Sequence, residues 1–448
     1  MLARQVLRPL GPAGFPLLGQ SLSFARDPLA FLAGVAHRFG DISYFKLGTI
    51  PVYFVNRPDL IWEVLVLQRS KFEISTMRQR LEPVLGTGML TSRADLHARQ
   101  RKLMQPVFRK SRIDNYAEIM SEYAGRMCGR WTNGEVVNLT GELMTFTIAV
   151  VAKTLFGQDI DEDSDVVSRN LSVLMQYFSK LMSPTRGTLN LPLPSSLRFH
   201  KALRELDAVV YRMIERRQRD PGGDDLLSRL VQARDDETQA QMTEKQLRDE
   251  VFSLLMAGHE TTANGLGWMI YLLAQNPEID ARLHGEIADV TKEKPRLEPS
   301  DLERLPYAKA VITESMRLYP PAWFVGRTAL EDVEVGGFTI PRGATVLMSQ
   351  FIAHRDGRYF KEPERFLPER WSESFAARLP RGAYFPFSAG DRHCLGEGFA
   401  WLEMLLSLAR IVPRWRFELV PGQDIRPSPS ITLRPNKPIK MILRARNG

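Results

Sequence analysis

The chain has 448 residues, 44% hydrophobic and 25% charged, the balance of a globular protein large enough to bury a sizeable core and a cofactor. Its net charge of +8 suits an acidic partner, but the densest basic stretch, Arg99, Arg101, Lys102, Arg109, Lys110 and Arg112, has no interleaved aromatic residues on which bases could stack, which argues against nucleic acid. Arg4, Arg8 and Pro9 interrupt the N-terminus before any long apolar run, so no integral membrane anchor or secretory signal is expected; two distant cysteines, Cys128 and Cys394, fit a reducing, cytoplasmic setting.

No low-complexity tract divides the chain, and the turn-rich patches at 183–187 and 221–223 are short enough to be loops, so residues 1–448 read as a single domain. Near the start, 42–47 and 52–55 are two β-like runs separated by Gly48-Thr49-Ile50-Pro51, the pattern of a hairpin. From 59 to about 287 nearly every segment spaces its apolar residues by three and four, as successive amphipathic helices do. Among these are 94–108, a run at 119–131 that carries Cys128, and a long helix at 244–275. Beyond Pro320 the segments 333–340, 344–348 and 431–433 look extended, broken by Gly336-Gly337 and Pro341-Arg342-Gly343. The fold class is therefore mainly α with small β-sheets.

Three segments carry chemistry. The first, Phe385-Pro386-Phe387-Ser388-Ala389-Gly390-Asp391-Arg392-His393-Cys394-Leu395-Gly396, delivers a cysteine just ahead of a helix beginning around Glu397. A helix N-terminus and a nearby arginine both stabilise a thiolate, which is a soft metal ligand, and the glycines let a flat group approach the backbone. Taken alone, Cys394 is equally compatible with a buried inert cysteine, the reading given to Cys128. The second, Ala257-Gly258-His259-Glu260-Thr261-Thr262, sits in the middle of the long helix. Glycine and back-bonding threonine weaken a helix locally, so an opened turn here would hold water beside a carboxylate and hydroxyls; close helix packing at Gly258 and Gly265 is the alternative. A zinc-protease reading of His259-Glu260 fails because position 263 is Ala. The third, Glu314-Ser315-Met316-Arg317, followed later by Pro363-Glu364-Arg365-Phe366, is by itself only a surface ion pair. Walker, dinucleotide and Gly-x-Ser-x-Gly motifs are missing, which leaves kinase, dehydrogenase and hydrolase readings without support.

Taken together and in this order, the segments resemble the cytochrome P450 superfamily, in particular its soluble bacterial members. Phe387-x-x-Gly390-x-Arg392-x-Cys394-x-Gly396 is similar to the family's haem-binding signature, and Ala257-Gly258-x-Glu260-Thr261-Thr262 to its oxygen-activation motif; Glu314-x-x-Arg317 and Pro363-Glu364-Arg365-Phe366 match the remaining two. The resemblance implies haem b (iron protoporphyrin IX) sandwiched between the long central helix and the cysteine loop, with Cys394 as the iron ligand whose electron donation favours dioxygen cleavage. It implies proton delivery by Glu260 and Thr261, and propionate binding by His97, Arg101, Arg327 and Arg392. Many relatives carry Trp where this chain has His97. Glu314, Arg317 and Arg365 would form a structural triad.

By family position the substrate would meet Phe252, Met256 and Ala257, the segment 321–325, the loop at 85–90 and the turn near Ile431 and Thr432. These linings are mainly apolar, implying a lipophilic small molecule of fatty acid, terpenoid or polyketide type that is hydroxylated or epoxidised. The chain ends soon after the cysteine helix, so the electrons of NAD(P)H are expected through a separate ferredoxin or flavodoxin and its reductase. The cluster Arg99, Arg101, Lys102, Arg109 and Lys110 is either its docking face or a solvated helix face. A peroxide-driven haem-thiolate enzyme and a non-catalytic haem sensor are the competing readings.

Overall fold

Gly48, at φ +61°, reverses the chain between two apolar strands, and the hairpin it closes begins the larger of the sheets. In this computed structural model, residues 8–159, 193–220, 222–234, 241–294 and 296–446 are described, with 166, 167, 169–171, 173, 174 and 177. The loop expected at 183–187 lies outside them, as does Pro221.

The strands in chain order are β1 (Ile42–Leu47), β2 (Ile50–Val55), β3 (Phe72–Ile74), β4 (Val136–Asn138), β5 (Val325–Ala329), β6 (Val333–Val335), β7 (Phe338–Ile340), β8 (Thr345–Met348), β9 (Trp415–Leu419), β10 (Pro427–Pro429), β11 (Leu433–Pro435) and β12 (Lys440–Ala445). The helices that bear on function are α1 (Ala94–Met104), α2 (Ala117–Gly129), α3 (Leu139–Phe156), α4 (Pro194–Arg219), α5 (Glu244–Gln275), α6 (Pro306–Leu318) and α7 (Glu397–Ile411). Contacts divide the chain into two units: Met1–Arg80 with Arg317–Arg365 and Trp371–Cys394, and Leu81–Met316 with Phe366–Arg370 and Leu395–Gly448.

The first unit is built on the sheet β1-β2-β8-β5-β3, in which β2 and β8 run parallel and the other neighbours antiparallel. One face of this sheet buries Tyr53, Val55, Val346 and Met348 against Ile61, Val64 and Phe385, so the segment leading to the cysteine is seated directly on the core. Gly336 and Gly337, both at positive φ, turn β6 back onto β7.

In the second unit, α5 is the axis. A capping box starts it: Thr243 Oγ1 accepts from Gln246 N, and the Gln246 side chain accepts from Thr243 N. Pro277 follows its C-cap Asn276 and opens the next helix. Its 32 residues are apolar on most faces, and it packs against α3 and α4. Among the described residues α3 is the helix long and apolar enough to cross a membrane, and its buried side chains form core against α5. A sheet β4-β12-β9 and the hairpin β10-β11 complete the unit.

The structure departs from the expected elements in places. β3 and β4 lie inside the stretch read as mostly helical, and β5, β9, β10 and β12 were not anticipated. In β5 the buried residues include Arg327 and Thr328, so the apolar rhythm that marks a strand is hidden. Helix α5 runs unbroken from 244 to 275, without the opened turn expected at its centre. The alternative of close packing is realised at Gly258, where a Cβ would meet Val151 Cγ2 at 3.0 Å.

The triad needs correction. Glu314 is fully buried, not on the surface; its Oε1 accepts from Arg370 Nε at 2.9 Å and Leu367 N at 3.0 Å. Arg365 instead points outward to Glu362 and contributes only its carbonyl, which accepts from Arg317 Nη2 at 3.1 Å beside the carbonyls of His354 and Pro363. The sequence carries Pro-Glu-Arg-aromatic twice, Pro363–Phe366 and Pro368–Trp371, and the second copy supplies the ionic partner. Removing one member of a buried pair strands the other charge, which typically costs about 3–5 kcal/mol. Arg370→Ala is therefore expected to lower the thermal midpoint steeply, whereas Arg365→Ala leaves it unchanged within error.

Candidate active site

The segment around Cys394 is shaped by three backbone bonds. Ser388 N donates to Phe385 O at 2.9 Å, His393 N to Gly390 O at 3.0 Å, and Cys394 N to Phe387 O at 2.9 Å. Gly390, at φ +70°, takes the close approach: a Cβ there would stand 1.9 Å from Leu65 O. Phe385 N donates to His354 Nε2 at 3.0 Å, tying the segment to the first unit's core. Cys394 is exposed, which removes the reading of a buried inert cysteine. Cys128 fits that reading, since it is buried and burial pushes its thiol pKa up.

Arginines converge in the same unit. Arg327, on β5, is buried; desolvation and then the neighbouring Arg78 and Arg392 bring its pKa down to about 9. Arg392 donates to Glu73 Oε1 at 3.1 Å, and desolvation lowers its pKa too. Arg78 keeps accessible surface, yet the protein packed around it lowers its pKa by desolvation. Three guanidiniums stand against Glu73 and Asp391, the latter exposed and already paired with Arg69, which leaves a positive excess around the buried Arg327. An anion such as a pair of carboxylates offsets that excess, so the donor set fits a porphyrin with propionates beside an accessible thiol. Arg78 was not picked out from sequence, because nothing in Thr76-Met77-Arg78-Gln79 marks it among 60 Lys and Arg residues.

In the second unit, every residue of α5 from 247 to 270 is buried except Ala257, Gly258 and Thr261. Positions 257 and 261 are one turn apart and 258 adjoins them, so the accessible surface of this stretch of the helix is a single patch. That patch falls on the oxygen-activation motif and fits a flat group or small ligand lying against it. Thr261 Oγ1 donates to Ala257 O at 2.6 Å.

Glu260 faces elsewhere. It is 1% exposed, and its Oε1 accepts from Arg434 Nε at 2.5 Å and from the Thr432 hydroxyl. Asn264 Nδ2 donates to Thr432 Oγ1 at 3.2 Å and Trp268 Nε1 to Leu433 O at 2.9 Å, so three successive residues at β11 are pinned along α5. The carboxylate of Glu260 and the hydroxyl of Thr261 are not hydrogen-bonded to each other. Beside them His259 is buried, and its pKa falls to about 3 by desolvation and then by the field of Arg434, so its imidazole is neutral. Arg434 was missed in the sequence; the signal was strand alternation, which sends Thr432 and Arg434 to one side and Leu433 to the other.

On α1, His97 is buried and Arg101 half-buried, one turn apart on the same helix face. The other sequence-derived linings of this unit that the structure brings together are Phe252 and Met256. With Leu255 they bound a small apolar cavity against Leu206, Val209 and Val210 of α4.

The model of the family "Cytochrome P450" matches residues 9–443. The chain belongs to that family, and is a monooxygenase of the haem and dioxygen kind that defines it. It is 38% identical over 439 residues to a protein named cyclooctatin synthase from Streptomyces melanosporofaciens, covering 97% of this chain and 95% of that one. It is 31% identical to pentalenene oxygenase from Streptomyces avermitilis, covering 97% of each. Among solved structures it resembles the retinoic acid bound cyanobacterial CYP120A1, with a TM-score of 0.89 and 27% identity over 99% of this chain and 100% of that one.

Replacing Arg434 by Met would leave Glu260 buried without its cation, at a cost of about 3 kcal/mol or more. In a double-mutant cycle followed by thermal unfolding, Glu260→Gln in the same chain is expected to recover most of that loss.

Proposed function

We propose that the chain oxygenates a cyclic terpenoid, with haem b held through Cys394. A haem iron bound by a thiolate supplies dioxygen reduction and insertion of one oxygen atom into a C–H or C=C bond. The observation that carries the substrate class is the likeness over nearly the whole chain to oxygenases of cyclic skeletons, and the apolar side chains between α4 and α5 agree with it. The names of the similar proteins, pentalenene oxygenase and cyclooctat-9-en-7-ol 5-monooxygenase, point to cyclic hydrocarbon skeletons, the latter at 35% identity.

The roles of the chain's own residues follow from this reading. Arg327 and Arg392, joined by Arg78, and His97 with Arg101 donate to the propionates. Thr261 offers its hydroxyl oxygen to a water or ligand beside the open patch of α5, its own proton being directed to Ala257 O. Glu260 relays a proton inward: its carboxylate, on leaving Arg434 and Thr432, takes a proton from water on one side and passes it to the water beside Thr261. Residues 1–448 act as one haem domain in the cytoplasm, a reading supported by a family match that runs through both units.

Two measurements test this. In the dithionite-reduced protein under carbon monoxide, the strongly red-shifted Soret band of thiolate-ligated haem is expected. Cys394→Ala removes it and Cys128→Ala keeps it; a histidine-type band in the wild-type protein sinks the ligand assignment. In a spin-shift screen followed by product analysis, cyclic terpene hydrocarbons and alcohols give shifts and a singly oxygenated product, and fatty acids do not. Thr261→Ala keeps the spin shift and diverts reducing equivalents to hydrogen peroxide.

Electrons of NAD(P)H reach the domain through an acidic ferredoxin or flavodoxin and its reductase. Arg99, Lys102, Arg109 and Lys110 are exposed, Lys110 with Asp114 beside it at 3.6 Å, and Arg112 is ion-paired with Asp224. Exposed charges of one sign steer encounter more than they add affinity. Charge reversal at Arg109 and Lys110 is expected to slow reduction by a ferredoxin and flatten its salt dependence; an unchanged rate at every salt concentration removes this face from the docking reading.

A further inference from the structure

Two carboxyl groups on one buried turn of α5 do not enter the chemistry described above. Asp249 is 2% exposed and Glu250 1%. Both accept from backbone amides of the loop that follows Leu85: Thr87 N donates to Asp249 Oδ2 at 3.0 Å, and Met89 N to Glu250 Oε2 at 3.0 Å. Other side chains take the loop's carbonyls. Arg248 Nη1 donates to Val84 O at 2.8 Å, Gln100 Nε2 to Thr87 O at 2.8 Å, and Thr91 Oγ1 to Gly86 O at 2.6 Å.

The loop lies this close because two of its residues have no side chain. A Cβ on Gly86, which is at φ +59°, would stand 2.0 Å from the Asp249 carboxylate oxygens. One on Gly88 would stand 2.3 Å from both Asp249 O and Ser253 Oγ. The turn is also held from the other side, since Arg248 Nε donates to Asp207 Oδ1 of α4 at 2.8 Å and its Nη1 to Asp249 Oδ1 at 3.1 Å. Arg248, stacked 4.5 Å from the ring centroid of Phe252, links the same turn to the apolar cavity.

We propose that Asp249 and Glu250 are positioning residues for the substrate: they clamp the backbone of the 86–89 loop onto α5 and so fix where Leu85, Met89 and Leu90 stand over it. The proposal rests on the reading that this loop lines the substrate site. Amides held by side chains, and not by a sheet, release without unfolding any element, so the clamp sets how long a substrate stays.

The two acids play the part differently. Asp249 also accepts from Lys245 Nζ at 2.7 Å and from Arg248 Nη1 at 3.1 Å. Glu250 has Met89 N as its hydrogen-bond donor, and burial raises its pKa to about 8, so near neutral pH it accepts as a neutral carboxyl. Glutamine reproduces that acceptor in shape and charge, and leucine does not.

The test compares Glu250→Gln, Glu250→Leu and Gly88→Ala in the haem-loaded protein. Amide exchange of the peptide spanning 85–91 is read by mass spectrometry, and dissociation of pentalenene by stopped-flow decay of the spin shift. Loss of one such bond corresponds to roughly tenfold faster exchange. Glu250→Leu and Gly88→Ala are expected to show it, with about tenfold faster pentalenene release, because changes at a bound surface act mainly on the off-rate. Glu250→Gln should stay near wild type in both. Gly88→Ala leaves both carboxyls intact, so the test survives even if the leucine variant folds poorly.

Unchanged exchange in both disruptive variants overturns the clamp. Faster exchange with unchanged release overturns its hold on the substrate. If the wild-type protein gives no spin shift with pentalenene, the substrate reading fails by itself, and the exchange result still decides the clamp.

Discussion

A charged side chain on a helix buried all round must meet a partner brought by another element or give up its charge, because desolvation of an isolated ion exceeds what the surrounding packing offers. Helix α5 carries Arg248, Asp249, Glu250, His259 and Glu260 inside such a helix. The solution at each position recruits a neighbour. Arg248 draws in Asp207 of α4, Asp249 and Glu250 take the amides of the 86–89 loop, and Glu260 takes Arg434 from the C-terminal hairpin. His259, desolvated and under the field of the nearby cation Arg434, stays neutral. The elements that line the apolar cavity and the open patch of α5 are thus held to one helix by its polar residues, while its apolar residues fill the space between.

The same rule has a second outcome on α7. Glu403 is fully buried against α5, and desolvation raises its pKa well above the carboxylate range, opposed only by the Thr262 hydroxyl. Glu260 and Glu403 are therefore two acids packed about one helix in different states, one ion-paired and one neutral.

Much of this was legible in the residues. The bounds of α5 follow from Thr243, Gln246 and Pro277, local signals that act over one turn, and the hairpin at Gly48 and the cysteine segment follow from glycines with a conformational reason to be there. What stayed hidden depends on contacts between segments far apart in sequence. Strand β5 escaped because its inward side chains include Arg327, and Arg434 escaped because its partner is 174 positions away. The choice between Arg365 and Arg370 could not be made locally, since two near-identical tetrapeptides follow one another and only burial separates them.

The glycines at 86 and 88 bear on how this enzyme could be redesigned. Where backbone and helix touch without an intervening side chain, loop length and glycine spacing are fixed by contact distance, and a library that varies them mostly samples misfolded loops. Met89 and Leu90 are only half-buried, and the Met89 amide is held by a carboxyl that does not read the side chain, whereas Leu85 is packed in the core. Side chains at 89 and 90 are thus free to vary over a backbone whose path is set by the two glycines and the two carboxyls beneath it.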